Sequence, residues 1–178
     1  MKFIILDRDG VINQDSDDYI KSPEEFIPLE GSLAAIAKLK QAEYRVVVAT
    51  NQSGIARELY DLDTLHRIHD KLNRLLQSEG THLDGIFYCP HGPDDNCHCR
   101  KPKPGMYLDI AKRFNIDLTE TTVVGDSLRD LQAAITVQAK PILVRTGKGE
   151  RTIKKHAKEI SGIPVYESLA DFVNSILK

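Results

Sequence analysis

The 178-residue sequence predicts an α/β fold, a doubly wound and mostly parallel sheet, from three observations. Short apolar runs recur without polar alternation, as strands covered on both faces require. Longer segments with helical spacing separate those runs, and strand–helix alternation implies right-handed crossovers. Charged and polar residues follow directly after the runs, at the strand ends where open α/β sheets bind their ligands.

Taken in chain order, residues 3–6 are the first predicted strand and residues 31–41 the first helix, with Leu33, Ile36, Ala37 and Leu39 on its apolar side. Residues 45–50 are a second strand. Leu62, Leu65, Ile68, His69, Leu72, Leu75 and Leu76 mark a longer helix, and the histidines within it, His66 and His69, read as core or surface positions. Residues 85–88 are the third strand. Tyr107, Leu108 and Ala111 mark a helix behind Pro104, taken as its first-turn proline. Residues 122–125 are the fourth strand, followed by a helix carrying Leu128, Leu131, Ala134 and Ile135. Residues 141–144 are the fifth, and a helix over 169–177 closes the chain. No repeat, low-complexity tract or linker interrupts the pattern, so residues 1–178 are expected to form one domain.

A composition of 41% hydrophobic and 28% charged residues is that of a water-soluble globular protein. A chain of this size buries roughly 70% of its unfolded surface, enough for a self-sufficient core. The net charge of −2 argues against nucleic acid as the main partner, which calls for a basic face. The N-terminal apolar run is too short for a signal peptide, and no stretch approaches the roughly 20 apolar residues of a membrane span. A cytoplasmic monomer is therefore expected. The three cysteines all fall within residues 89–99, a clustering that points to metal rather than to disulfides.

Asp7 and Asp9 close the first strand, and a spacing of two keeps both side chains on one side of an extended chain. One carboxylate can attack phosphorus while the other handles a proton, and Gly10 lets the backbone turn away. The second strand ends on Thr50-Asn51-Gln52-Ser53-Gly54, a hydroxyl and amides able to bind phosphoryl oxygens. Arg100-Lys101-Pro102-Lys103-Pro104-Gly105 supplies fixed positive charge before a helix. Gly125-Asp126-Ser127-Leu128-Arg129-Asp130 adds two carboxylates at the fourth strand end. Taken singly, each segment has a plain structural use, such as a helix cap or a solvated turn. Carboxylates in such number repel a phosphate unless a cation joins them, and Mg²⁺ suits oxygen ligands.

Residues 89–99 hold three thiols and two imidazoles in eleven positions. Cys89, His91, Cys97 and Cys99 make a Cys₃His set for tetrahedral Zn²⁺, with His98 as the alternative fourth ligand. Four protein ligands leave no open position, so the zinc is expected to be structural, pinning the loop that leads into Arg100 and Lys101.

The order D-x-D-G-V, T-N-Q-S-G, K-P-x-P-G, G-D-S-x-x-D across Asp7 to Asp130 resembles the haloacid dehalogenase-like phosphatase superfamily. The C-P-H…C-x-C-R-K-P stretch narrows the likeness to its zinc-containing branch of histidinol and heptose-bisphosphate phosphatases, over roughly residues 3–149. The DxD, TNQSG and RKPKPG segments lie nearer the heptose members. The resemblance implies a capless haloacid dehalogenase-like domain, with Asp7 as nucleophile and Asp9 as general acid/base that also lends its carbonyl to Mg²⁺. It implies that Thr50 and Lys101 hold the phosphoryl group, Lys103 being the rival lysine. Asp126 then serves the metal and Asp130 supports it. The zinc loop is short, as in the histidinol members, and Ser127 stands where some heptose members have lysine.

No stretch is long enough for a separate covering domain, so loops must read the substrate. The candidates are Asp15, Ser16, Asp17 and Asp18, then Asn51, Gln52, Ser53 and Arg57, then Arg100. Arg57 and Arg100 are suited to a second phosphate, which guanidinium groups bind bidentately. The expected activity is Mg²⁺-dependent release of the C7 phosphate of a heptose 1,7-bisphosphate, in lipopolysaccharide-core or related heptose nucleotide biosynthesis. A histidinol-phosphate phosphatase, or another small-metabolite phosphatase, is the alternative; a zinc-stabilised nucleic-acid-binding module is the remote one.

Overall fold

The computed structural model describes residues 2–177. Among these, six strands form one sheet: β1 (Lys2–Leu6), β2 (Tyr44–Asn51), β3 (Gly85–Cys89), β4 (Thr122–Gly125), β5 (Lys140–Val144) and β6 (Val165–Tyr166). Their spatial order is β3-β2-β1-β4-β5-β6, and every pairing is parallel. Five α-helices connect them, α1 (Ser32–Gln41), α2 (Leu62–Ser78), α3 (Gly105–Phe114), α4 (Leu128–Thr136) and α5 (Gly149–Lys155), and a sixth, α6 (Leu169–Ile176), follows β6. This is the α/β architecture that the apolar runs predict.

Successive residues of β1 face opposite sides of the sheet. Ile4 and Leu6 pack with Ile36, Leu39, Ile68, Leu72 and Phe172, under α1, α2 and α6. Phe3 and Ile5 pack with Tyr107, Ile110, Ala133 and Ala134, under α3 and α4. Ile4, Ile5 and Leu6 are fully buried, and cutting such a side chain back to alanine costs about 2–5 kcal/mol. The residue that follows Leu6 is thus tethered to a deeply packed interior strand.

Chain order reverses at β1. The chain runs outward through β2 and β3, then returns to lay β4 on the other side of β1. The carboxyl ends of β1 and β4 therefore form a topological switch point, where a crevice opens.

Four features depart from expectation. Pro104 occupies the N-cap of α3 rather than its first turn. The helix α5 went unpredicted because Gly149–Lys155 carries one apolar residue, half-buried Ile153, too few for a periodic signal. Two-residue β6 and a 3₁₀ turn at Leu118–Glu120 are likewise too short to show a pattern. No helix of the described residues is long and apolar enough to cross a membrane.

Candidate active site

Asp7 extends the β1 ladder by one residue, its amide donating to the Val124 carbonyl at 2.9 Å. The chain then turns at once: the amides of Val11, Ile12 and Asn13 all return to the Arg8 carbonyl. The backbone bends at Arg8 and turns at Gly10, yet Asp7 and Asp9 both line the same cleft. Asp7 joins Asp126 and Asp130, whose carboxylate oxygens all lie within 4.8 Å of one another. The Asp9 carboxylate stands apart from that trio.

Lys101 enters the cluster from the loop before α3. Its Nζ lies 3.1 Å from Asp7 Oδ1 and 2.6 Å from Asp130 Oδ1, and donates to the Ala49 carbonyl at 2.8 Å. Lys103 instead donates to the Cys97 carbonyl and Asn96 Oδ1, so of the two lysines Lys101 is the one that meets Asp7 and Asp130. The Asn51 amide brackets the Lys101 backbone, accepting from its N–H and donating to its carbonyl. Thr50 is buried at the end of β2, and its hydroxyl borders the same cleft.

The cluster is electrostatically tense. Burial first, then the Asp130 charge, push Asp7 up to about 7 against the pull of Lys101. Burial, then Asp7 and Asp130, raise Asp126 well above the carboxylate range. Burial opposes the Asp130 charge too, yet Lys101 and Ser127 hold that carboxyl low. Lys101 is held above the lysine range by Asp130 and Asp7, despite burial. Among the described residues no cationic side chain pairs with Asp126, whose Oδ2 accepts only from the Lys148 amide, at 2.8 Å. Buried all-oxygen donors with unbalanced negative charge fit a hard divalent cation.

A segment that sequence reasoning passed over shapes this corner. Thr146 donates to the Gly10 carbonyl at 2.7 Å, and Thr152 to the Asp126 carbonyl at 2.9 Å. Gly147, at φ 58°, lies so close that a Cβ there would overlap both Asp126 Oδ2 and Gly10 Cα. The β5–α5 loop thus seats Asp126 through its backbone, a role that side-chain chemistry does not announce.

The cleft above the cluster has a volume of about 390 Å³, within the range of small-molecule sites. Asp15, Ser16, Asp17, Asn51, Gln52, Ser53, Arg57 and Arg100 line it, as expected, together with Arg129 and Lys148, which were not singled out. Asp18 is exposed and lies outside that lining. Lys148 pairs with Asp15 at 2.9 Å and Arg151 with Asp17 at 3.1 Å, so the 15–17 loop is tied to α5. The Arg57 guanidinium sits 5.8 Å over the Tyr19 ring. Gln52 is taken up internally, bonded to Asp9, Thr50 and Tyr60.

Cys89, His91, Cys97 and Cys99 converge beside the cleft. The sulfurs of Cys89 and Cys97 are 3.7 Å apart, and His91 Nδ1 is 3.5 Å from Cys89 Sγ and 3.4 Å from Cys99 Sγ. Tetrahedral zinc sets neighbouring S and N donors about 3.5–3.8 Å apart, so these distances fit it; the Cys89–Cys99 separation of 3.0 Å is shorter. His98 points away, to Asp109 Oδ2 at 3.3 Å, and takes no part. Arg100 leaves this loop with its Nη1 donating to the His91 carbonyl at 3.3 Å.

A model of the HAD-hydrolase-like family matches residues 98–172. A D-glycero-beta-D-manno-heptose-1,7-bisphosphate 7-phosphatase of Bordetella bronchiseptica is 56% identical, over 100% of this chain and 99% of its own. One of the same name from Neisseria meningitidis serogroup A is 54% identical, over 100% of this chain and 96% of its own. The crystal structure of the D,D-heptose 1,7-bisphosphate phosphatase from B. bronchiseptica, complexed with magnesium and phosphate, superposes with a TM-score of 0.96. That superposition covers 99% of this chain and 98% of the other, at 56% identity.

Proposed function

The chain belongs to the heptose-1,7-bisphosphate 7-phosphatase family of HAD-like hydrolases, and from that premise we propose that it hydrolyses the C7 phosphate of D-glycero-D-manno-heptose 1,7-bisphosphate. The observation that carries the proposal is Lys101 buried between Asp7 and Asp130 at the switch point, in a chain 56% identical from end to end to an enzyme named for that reaction.

Asp7 is the nucleophile. Its carboxylate oxygen bonds to the C7 phosphorus as the bond from phosphorus to the sugar oxygen breaks, and Asp9, which must take up a proton in the substrate complex, passes that proton to the sugar oxygen. Asp9 then takes a proton from water, whose oxygen bonds to phosphorus as the Asp7–phosphorus bond breaks. Inorganic phosphate leaves and both carboxyls return to their starting state. Splitting the displacement into two steps makes each easier. Thr50 and Lys101 hold the phosphoryl oxygens, with Lys101 balancing charge that builds up in flight. Asp7, Asp126 and the Asp9 carbonyl would hold Mg²⁺, with Asp130 in support. The ion supplies further neutralisation of the phosphoryl oxygens when bound. Cys89, His91, Cys97 and Cys99 would hold a structural Zn²⁺ that fixes Arg100 and Lys101 in place.

The extended primary phosphate reaches Asp7 in the narrow floor of the cleft, and the C1 phosphate lies outward against Arg100 and Arg57. Such an activity implies a cytoplasmic enzyme of heptose nucleotide or lipopolysaccharide-core biosynthesis. Phosphate release with Mg²⁺, compared between heptose 1,7-bisphosphate and histidinol phosphate, is the test. Higher efficiency on the bisphosphate is expected; higher efficiency on histidinol phosphate would overturn the assignment.

A further inference from the structure

The Asp9 carboxylate is held by more groups than its own turn supplies. Arg8 Nε and Nη2 donate to its Oδ1 at 3.0 and 2.8 Å, and Asn13 Nδ2 adds a third bond at 2.9 Å. Gln52 Nε2 donates to Oδ2 at 3.1 Å. Two further side chains, both buried and both from the crossover between β2 and β3, hold those holders. The His69 Nε2 lies 3.1 Å from Arg8 Nη1, and the Tyr60 hydroxyl donates to Gln52 Oε1 at 2.5 Å.

The chemistry fixes every orientation. A carboxylate only accepts, so the Gln52 amide nitrogen faces Asp9 and its oxygen faces Tyr60. A guanidinium only donates, so His69 Nε2 is the unprotonated nitrogen and the imidazole is neutral. Burial, then the Arg8 charge, push the His69 pKa down to about 3, which keeps it an acceptor. Arg8 is completely buried and its guanidinium lies 5.8 Å over the Phe26 ring. Room for the Tyr60 ring exists because residue 54 is glycine; a Cβ there would overlap the ring.

We propose that His69 and Tyr60 are positioning residues for the general acid/base Asp9, acting through Arg8 and Gln52. The inference rests on the assignment of Asp9 above and extends it to two side chains that touch neither phosphate nor metal. With both ring and hydroxyl in place, the four bonds on Asp9 have one geometry. Without them, Arg8 and Gln52 gain alternative rotamers and Asp9 loses its aim at the leaving oxygen.

The test compares kcat/KM on two esters, because that ratio reports the steps up to release of the alcohol. The sugar alkoxide of heptose 1,7-bisphosphate needs the proton from Asp9; p-nitrophenolate, a weak base, leaves without one. His69→Leu is expected to lower kcat/KM on the bisphosphate by about tenfold or more and on p-nitrophenyl phosphate by less than about threefold. Tyr60→Phe should shift the two substrates in the same unequal way. His69→Gln places an amide oxygen where Nε2 stood and should recover most of the loss. Melting temperature and the Mg²⁺ concentration for half activity should stay near the parent values in His69→Gln and Tyr60→Phe. An equal loss on both esters, or undiminished efficiency in all three variants, overturns the proposal. If the parent protein cleaves p-nitrophenyl phosphate and not the bisphosphate, the substrate assignment fails instead, and glycerol 3-phosphate takes over as the alkyl ester.

Discussion

With its ammonium buried between Asp7 and Asp130, Lys101 offsets part of the negative charge at the cleft floor and leaves Asp126 uncompensated. Asp7 is therefore a poor residue for stability and an apt one for attack on phosphorus. Asp7→Asn removes the attacking oxygen and also a repelled charge. Turnover should fall by at least about a thousandfold, while the melting temperature of the metal-free protein holds or rises; turnover near the parent rate would discard the nucleophile. His69 makes a prediction about pH. Arg8, Asp9, His66 and Tyr88 face it, and its folded pKa near 3 lies below the ordinary 6.5. The unfolded chain then binds the extra proton, so stability is full above pH 6.5 and declines as pH falls. At pH 5 the loss from this one group is about 2 kcal/mol. Urea unfolding of His69→Gln between pH 7.5 and 5 should show a correspondingly flatter decline; a slope equal to the parent's would contradict the neutral imidazole. Asp7, Lys101 and Asp126 were legible in the sequence because each follows an apolar run or sits in a Gly/Pro-framed turn. Tyr60 and His69 were not, because their partners lie 8 and 61 positions away and helical spacing makes His69 look like core.

At the scale of elements, two loops do what side-chain motifs alone do not. The cysteine–histidine loop has little secondary structure between β3 and α3, yet it delivers both Arg100 and Lys101. Cys97→Ser should lower zinc content, melting temperature and activity together, as measured by elemental analysis, calorimetry and phosphate release. Retained zinc and unchanged stability would remove Cys97 from the ligand set. This loop was legible because three cysteines in eleven residues have few other uses. The β5–α5 loop was illegible, because Gly147 and the Lys148 amide act through backbone position. Gly147→Ala should raise the Mg²⁺ concentration for half-maximal activity, and Mg²⁺ titration calorimetry should show weaker binding in proportion. An unchanged Mg²⁺ affinity would mean that the loop does not seat Asp126.

Over the whole molecule, the fold was legible to the extent that its core was. The five strands read as continuous apolar runs pair as parallel neighbours, and only Val165–Tyr166 at the sheet edge escaped. The strand order, and with it the switch point at β1, arises from long-range packing rather than from any local pattern. That order brings residues 7, 50, 101 and 126 into one open cleft with a basic rim. On the proposed reading, one phosphate of the substrate lies on the cleft floor and the other at Arg100 and Arg57. Arg100→Ala should reduce kcat/KM for the bisphosphate by roughly ten- to a hundredfold and for a simple monophosphate far less; equal losses would place Arg100 on the transferred phosphate. Phosphorus NMR of the Mg²⁺-loaded protein turning over D-glycero-D-manno-heptose 1,7-bisphosphate shows which phosphate is released. The C7 phosphate resonance should vanish as inorganic phosphate grows in equal amount, with the C1 phosphate resonance retained. Loss of the C1 resonance first, or no phosphate release with Mg²⁺ present, would contradict the proposed C7 hydrolysis.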